Sequence, residues 1–494
     1  MSSIAFNDDW SHFFAHHSAD EMSIEGLRAF AQQYAGTEIT DFFLNPNGMR
    51  TVYASKVRES IFTGFDPGDP ESEGFFGSDN HRKFRFNDGK LREYAENTYT
   101  LDRKGIDPYA VWIDAFRKTG IHPWINMRMN DVHGVFDENY FLHDAFWREH
   151  PELRTGEYRW VSDWGDRTLD YGRAEVYAYQ MALVDELIER YDMDGFELDW
   201  MRTPPHFRPG FDEQGLEILT QFTREVRKKL DLAEKQRGHK LRLSARVPQS
   251  PEDALGLGMD AARWAQEGLI DWLTVSPYFD ATGHDVPVRV WKQLLHGTNV
   301  TLAVCTDVPI RAYPGDTQKQ QSSVTACGQA ASMLWQGADV VYLFNHYDNA
   351  FTISDLENYR KMLCTVGSME TLRGEHRRHI VSYRDRVGRG MAAGALLPKL
   401  IKPGKTFDLR LCLGDIGGVK KAFAAFGAAG SLAVRVNGYE CGELKKLTLE
   451  KPAPEGEARA ADIPISALHN GWNNIELYTK DEECEVKWAE IDLS

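Results

Sequence analysis

No apolar run in the 494 residues approaches the roughly 18 needed to cross a bilayer as a helix, so no membrane partner is expected. Cysteine is scarce. The six, Cys305, Cys327, Cys364, Cys412, Cys441 and Cys484, form no CxxC pair and sit beside no histidine at zinc-ligand spacing. No disulfide framework or structural zinc is implied, and scattered thiols in a large chain are usually small buried hydrophobes. Positive charge is also short: 57 Lys and Arg against 74 Asp and Glu give −17, unsuited to a nucleic-acid backbone. The one dense basic cluster, Arg373 to Arg378 with His376 and His379, reads as a solvated linker. Dinucleotide-binding glycines are missing, since Gly256-Leu257-Gly258 lacks the third glycine of GxGxxG. There is no GxSxG elbow for acyl transfer, and no HExxH for a metal hydrolase. The His16-His17 pair is not an HxH on a first strand, so neither metal nor cofactor is expected. The first residues, Met1-Ser2-Ser3-Ile4-Ala5-Phe6, carry no basic n-region or apolar h-region, which predicts a cytoplasmic protein.

What is present is alternation. Eight β-branched or aromatic runs predict strands at Ile4–Phe6, Thr40–Leu44, His122–Met127, Gly195–Trp200, Leu241–Val247, Trp272–Pro277, Val300–Thr306 and Val340–Asn345. Amphipathic stretches separate them. Leu183, Val184, Leu187, Ile188 and Tyr191 make one stripe; Leu216, Leu219, Phe222, Val226 and Leu230 make another before Gly238. A third, Val324, Cys327, Ala331 and Leu334, precedes Gly337. Parallel strands need crossover helices, so the pattern predicts an α/β chain with a (β/α)8 TIM barrel over residues 1–370. Its longest insertions, about 45–105 and 130–172, follow the second and third strands, on the rim where barrel enzymes build their sites. Beyond about residue 370, short alternating runs such as Phe407–Leu413, Leu432–Val436, Ile475–Tyr478 and Val486–Leu493 are separated by turn residues. They predict a C-terminal β-sandwich, jelly-roll-like, over 371–494.

The chemistry concentrates in the run Asp194-Gly195-Phe196-Glu197-Leu198-Asp199-Trp200-Met201-Arg202. A period of two puts Glu197 and Asp199 on one face and Phe196, Leu198 and Trp200 on the other. Apolar bulk suits the helix side, so both carboxylates are expected inside the barrel. Glu197 is expected in a salt bridge to Arg128 or Arg246, and Asp199 at the strand end is expected to face the open mouth. Other strand ends supply Asp307, Asp280, and the groups Arg128, Asn130, Asp131, His133 and Asn345, His346. Tyr278, Arg202 and Arg246 add polar reach, and Trp164 a stacking wall; with 12% aromatic residues the chain is well supplied for stacking on sugar rings. Paired carboxylates among amides and aromatics are what glycosidic cleavage requires: one donates a proton to the departing oxygen, the other attacks the anomeric carbon or activates water.

The run DGFELDWMR resembles the fourth-strand motif of barrel glycoside hydrolases, most closely the group called family 10-like glycosyl hydrolases. INMRMNDVH (125–133), FWREHPELR (146–154), LRLSARVP (241–248), MDAARWAQEGLIDWLTVSPY (259–278) and QGADVVYLFN (336–345) match that group in order. The resemblance implies a retaining or inverting glycosidase with Asp199, the acid at the end of the fourth strand, as nucleophile or base. Acids at the other strand ends make Asp307 the first-choice acid and Asp280 or Glu197 the second, and a cytoplasmic location would mean exo action on a short oligosaccharide or glycoside. From their places at the strand ends, Arg128, Asn130, His133 and Asn345 are expected to bind hydroxyls or orient carboxylates. A binding protein that has lost catalysis stays open, because Asp307 stands where relatives often carry Glu. So does a metal-dependent sugar-acid lyase or isomerase that holds its anion on Arg128 and Arg202. Self-association as a homo-oligomer is not decided by the sequence.

Overall fold

The computed structural model describes residues 3–68, 88–135, 137–156, 166–278, 281–349, 352–384 and 394–494. Eight strands close into a barrel: β1 (Ile4–Asp8), β2 (Ile39–Leu44), β3 (His122–Arg128), β4 (Gly195–Asp199), β5 (Arg242–Pro248), β6 (Trp272–Ser276), β7 (Thr301–Asp307) and β8 (Val340–Phe344). Each is parallel to both neighbours, and β8 returns to β1. The eight predicted runs are these strands. The first was drawn two residues short, because Asn7 and Asp8 broke its apolar pattern.

Alternation along the strands sorts the core in two. Ile4, Phe6, Phe42, Phe196, Leu198, Leu243 and Val275 face outward into the layer shared with the helices. Ala5, Phe43, Trp124, Trp272, Cys305, Tyr342 and Phe344 fill the interior as a separate cluster. The helices Ala174–Arg190, Asp212–Arg237 and Ser323–Gln336 occupy the three predicted stripes. The last two end on Gly238 and Gly337, whose φ values of 79° and 109° need the conformational freedom of glycine at a helix end. Five of the six cysteines are buried, and all are free thiols. Among the described residues no helix is long and apolar enough to cross a membrane.

The second set of strands is all antiparallel. One sheet runs β9 (Arg377–Ile380), β18 (Cys484–Leu493), β12 (Ala422–Ala429), β16 (Ala458–Asp462), β15 (Lys445–Leu447), with β10 (Lys399–Ile401) also on β18. The other runs β11 (Thr406–Cys412), β17 (Trp472–Tyr478), β13 (Ala433–Val436), β14 (Tyr439–Glu440). Leu409, Leu411, Phe426, Val434, Ile475, Trp488 and Ile491 belong to the core they share.

The basic cluster is not a solvated linker. Arg377 and Arg378 open this sheet and are buried. Arg378 pairs with Glu490 at 2.7 Å, and Arg377 donates to the carbonyls of Leu372 and Leu413. Sequence spacing could not show that a glutamate 112 residues away supplies the partner.

This all-β part is tied to the barrel at the β7–β8 crossover. Gly328, in the intervening helix, has no room for a side chain: a Cβ would lie 2.0 Å from the carbonyl oxygen of Arg378. Ile310 and Ala312, just beyond β7, belong to the second core rather than the barrel's.

Candidate active site

Strand register builds the site. Asp199 is level with Arg128 on β3 and Arg246 on β5, so three charged side chains meet at the C-terminal end of the interior. One layer below, Glu197 lies across the barrel axis from β8. It accepts from Asn126 Nδ2 (2.7 Å) and Tyr342 Oη (2.7 Å) on one oxygen, and from Ser244 Oγ (2.6 Å) and Thr274 Oγ1 (2.9 Å) on the other. These donors come from four strands. Burial pushes its pKa up, with Asp199 adding to the rise. The arginine expected for Glu197 is absent; neutral donors satisfy it, and Arg246 and Arg128 are committed elsewhere.

Asp199 is 0% exposed and does not look into an open mouth. Arg246 Nη1 donates to both of its oxygens, at 3.0 and 3.1 Å, and the amide of Met201 donates to Oδ1 at 3.0 Å. The Arg246 guanidinium lies 3.8 Å from the Phe344 ring centroid and donates to Ser276 Oγ at 2.7 Å. Trp200 lies outside the interior among Tyr171, His206 and Phe222, the placement that alternation predicts.

Arg128 is held between Asp9 and Asp131, the latter at 2.6 Å, and Asp131 in turn meets His133 at 2.7 Å. The two carboxylates raise the Arg128 pKa, and the neighbouring His133 and Arg128 side chains hold Asp131 well below the usual carboxylate range, both against the effect of burial. Asn130 is spent on architecture: its amide donates to the Leu169 carbonyl and its oxygen accepts the Leu169 amide, both at 2.9 Å. Tyr278 is buried. Asp280 and Trp164 lie outside the described residues.

Two residues differ from this well-paired background. Asp307 ends β7, 4% exposed, and one of its oxygens accepts the amide of Val308 at 2.7 Å. Arg246 and Arg202 are near enough to act through space, yet neither pairs with it. Burial prevails, and its pKa rises to about 6. Arg202 is the counterpart. Among the described residues its side chain makes no ion pair and no hydrogen bond, and its Nε is buried without a partner. Its guanidinium lies 5.7 Å from the Phe344 ring centroid and within electrostatic reach of Asp9, Asp131 and Asp307.

Asn345, in the left-handed region at φ 57°, and His346 follow β8; the Asn345 Oδ1 and His346 Nε2 atoms are buried and unpartnered. Burial lowers the His346 pKa to about 4, so the ring is neutral at pH 7. Asn7, on β1, has both side-chain amide atoms buried and unsatisfied. Asn7 and Asp9 are the site residues that sequence reading missed. Extending the first strand to Asp8 would have put both at a strand end.

Residues 173–333, a third of the chain including β4 to β7, match the family model described as glycosyl hydrolases family 18. That is not the family 10-like group which the motifs resemble. A 1,4-alpha-glucan branching enzyme, GlgB 2, from Xanthomonas euvesicatoria pv. vesicatoria is 34% identical over 99 residues, 19% of this chain and 12% of the relative. The matched segment therefore spans about an eighth of that curated relative. Among solved structures, alpha-L-fucosidase isoenzyme 2 from Paenibacillus thiaminolyticus is 14% identical at a TM-score of 0.46, covering 76% of this chain and 51% of its own. The PgaB glycoside hydrolase domain from Bordetella bronchiseptica is 9% identical at 0.40, covering 74% of this chain and 99% of its own.

Proposed function

We propose that the protein is a glycoside hydrolase that works at the C-terminal mouth of the barrel, with Asp307 as the proton donor. The family 18 match over 173–333 supports the reaction class, and one observation carries the residue: a buried strand-end carboxyl with no arginine partner, its pKa raised to about 6. A general acid needs its proton near working pH, and burial without a counter-ion provides that. The bond from the anomeric carbon to the glycosidic oxygen breaks as Asp307 gives that oxygen its proton; water adds at the anomeric carbon and releases a proton to solvent, and Asp307 takes a proton back from solvent before the next turnover. Asp199, sealed against Arg246, is a positioning residue: it fixes the guanidinium over Phe344 and beside Ser276, and so sets the field felt by Asp307.

The substrate class follows from Arg202. A guanidinium at the mouth whose side chain has no partner among the described residues suits an anionic group on the sugar, such as a carboxylate or sulfate, which it can grip with two hydrogen bonds. Asn345, following β8, would meet hydroxyls.

A panel of neutral, uronic and sulfated glycosides assayed with the intact chain tests the reading. Cleavage of an anionic member is expected, and Asp307→Asn should lower its turnover about 10²–10⁴-fold. Arg202→Gln should raise KM for that substrate more than it lowers kcat. Near-normal turnover by Asp307→Asn would remove the assignment.

A further inference from the structure

The ends of β1 and β8 hold a group that the hydrolytic reading does not use. His12 belongs to the short helix after β1, His17 caps it, and Asp348 lies four residues beyond β8. One donor atom from each lies within 4.8 Å of the other two, although Asp348 is 336 residues from His12. Both imidazoles are oriented by a carboxylate on Nδ1: His12 by Asp8 at 2.6 Å, His17 by Glu21 at 2.8 Å. That leaves Nε2 on each ring for a ligand, the His12 Nε2 being hydrogen-bonded to Asp348 Oδ1, and a carboxylate behind the other ring nitrogen is the arrangement that metal-binding histidines share. Tyr347 stacks on His12 with ring centroids 4.1 Å apart and planes 8° from parallel, which fixes the ring plane.

We propose that His12, His17 and Asp348 form a site for a divalent transition metal of the zinc class. The His12 Nε2 to Asp348 Oδ1 distance is 3.1 Å. Two ligands on a tetrahedral ion with bonds of about 2.0–2.1 Å stand about 3.3 Å apart, so this pair needs little movement and His17, within 4.8 Å of both, closes in as the third ligand. Two imidazoles and one carboxylate are a ligand set that zinc and its neighbours accept, and three protein ligands leave a fourth position for water. His12 is buried, while the His17 and Asp348 side chains are 18% and 23% exposed, which gives the ion a way in. Bound there, the ion clamps the segment after β1 to the segment after β8, across the seam where the barrel closes.

The test uses the full chain, stripped with chelator and then titrated with Zn²⁺ by calorimetry and with Co²⁺ by visible absorption. The expected result is one equivalent bound, tetrahedral Co²⁺ bands, and a higher melting temperature with Zn²⁺. His17→Ala and Asp348→Asn, both at partly exposed positions, should each weaken binding at least about ten-fold, with the fold checked by circular dichroism. Glu21→Gln should weaken it less. No uptake by the stripped protein, or uptake unchanged in both ligand variants, overturns the site. Neither readout depends on glycoside cleavage, so the metal proposal and the hydrolase proposal fail separately.

Discussion

In its proposed role as proton donor, Asp307 would serve a reaction at the expense of the fold. Its folded pKa of about 6 lies above the ordinary carboxylate value of 3.8, so the folded state holds the proton more tightly than the unfolded chain. The sign follows: its contribution is intact below about pH 4, declines as pH rises through 6, and remains a penalty above. The full shift is worth up to about 3 kcal/mol. Asp307→Asn should therefore melt higher than the parent at pH 8 and about equally at pH 4, measured by calorimetry at both values. For the same reason kcat/KM should fall as pH rises past about 6, when the acid loses its proton. A flat profile between pH 5 and 8 would remove Asp307 as the donor.

Arg246 makes the opposite case. Its pair with Asp199 is fully buried, and breaking such a pair costs about 3–5 kcal/mol because a bare charge remains inside. Arg246→Met should lower stability by that order in urea titration. Adding Asp199→Leu should recover most of it while activity stays low. Recovery of activity as well would show that the pair positions nothing.

Among the elements, the helix Ser323–Gln336 belongs to the barrel core yet also packs against the all-β part. Its inner face covers β8, and its outer side meets β9 so closely that Gly328 admits no side chain. A valine there must push the helix and Arg378 apart. Gly328→Val is expected to destabilise by roughly 2–4 kcal/mol, and because the helix links β7 to β8 it should also reduce turnover. Equilibrium unfolding together with the glycoside assay would check both. Activity unchanged alongside lost stability would separate the crossover from the site. The segment after β7 belongs to the same unit: Asp307 is followed within three residues by Ile310, which is buried in the all-β core.

At the scale of the molecule, that connection gives the C-terminal part a bracing role, which we set before sugar binding. Residues 309–320 contribute to its core, and Lys319 Nζ lies 5.5 Å from the Trp488 ring. A chain ending near residue 370 would expose Ile310 and Ala312 and leave Gly328 facing water. Such a truncation should be less soluble and melt lower than the whole protein, with turnover lost rather than only affinity for polymers. A truncated barrel with full activity and an unchanged melting temperature would assign the module to another task.

Sequence alone determined the barrel, because eight apolar runs alternating with helical stripes leave few other ways to bury both faces of a parallel sheet. It also placed Glu197 and Asp199 inward, since a period of two admits only two faces and Phe196, Leu198 and Trp200 claimed the outer one. It could not assign partners. Arg246 chose Asp199 rather than Glu197, and Arg128 chose Asp9 and Asp131, because strand stagger sets which residues share a level around the barrel. Periodicity within one strand contains no information about that stagger. Burial was likewise decided by closure. Asp199 and Asp307 both end strands in similar polar company, yet one is sealed beneath a guanidinium and the other is left without a counter-ion. His12, His17 and Asp348 meet only because β8 returns to β1, bringing together residues at opposite ends of the barrel sequence. Local chemistry is written along the chain; which charges neutralise one another is settled only when the sheet closes.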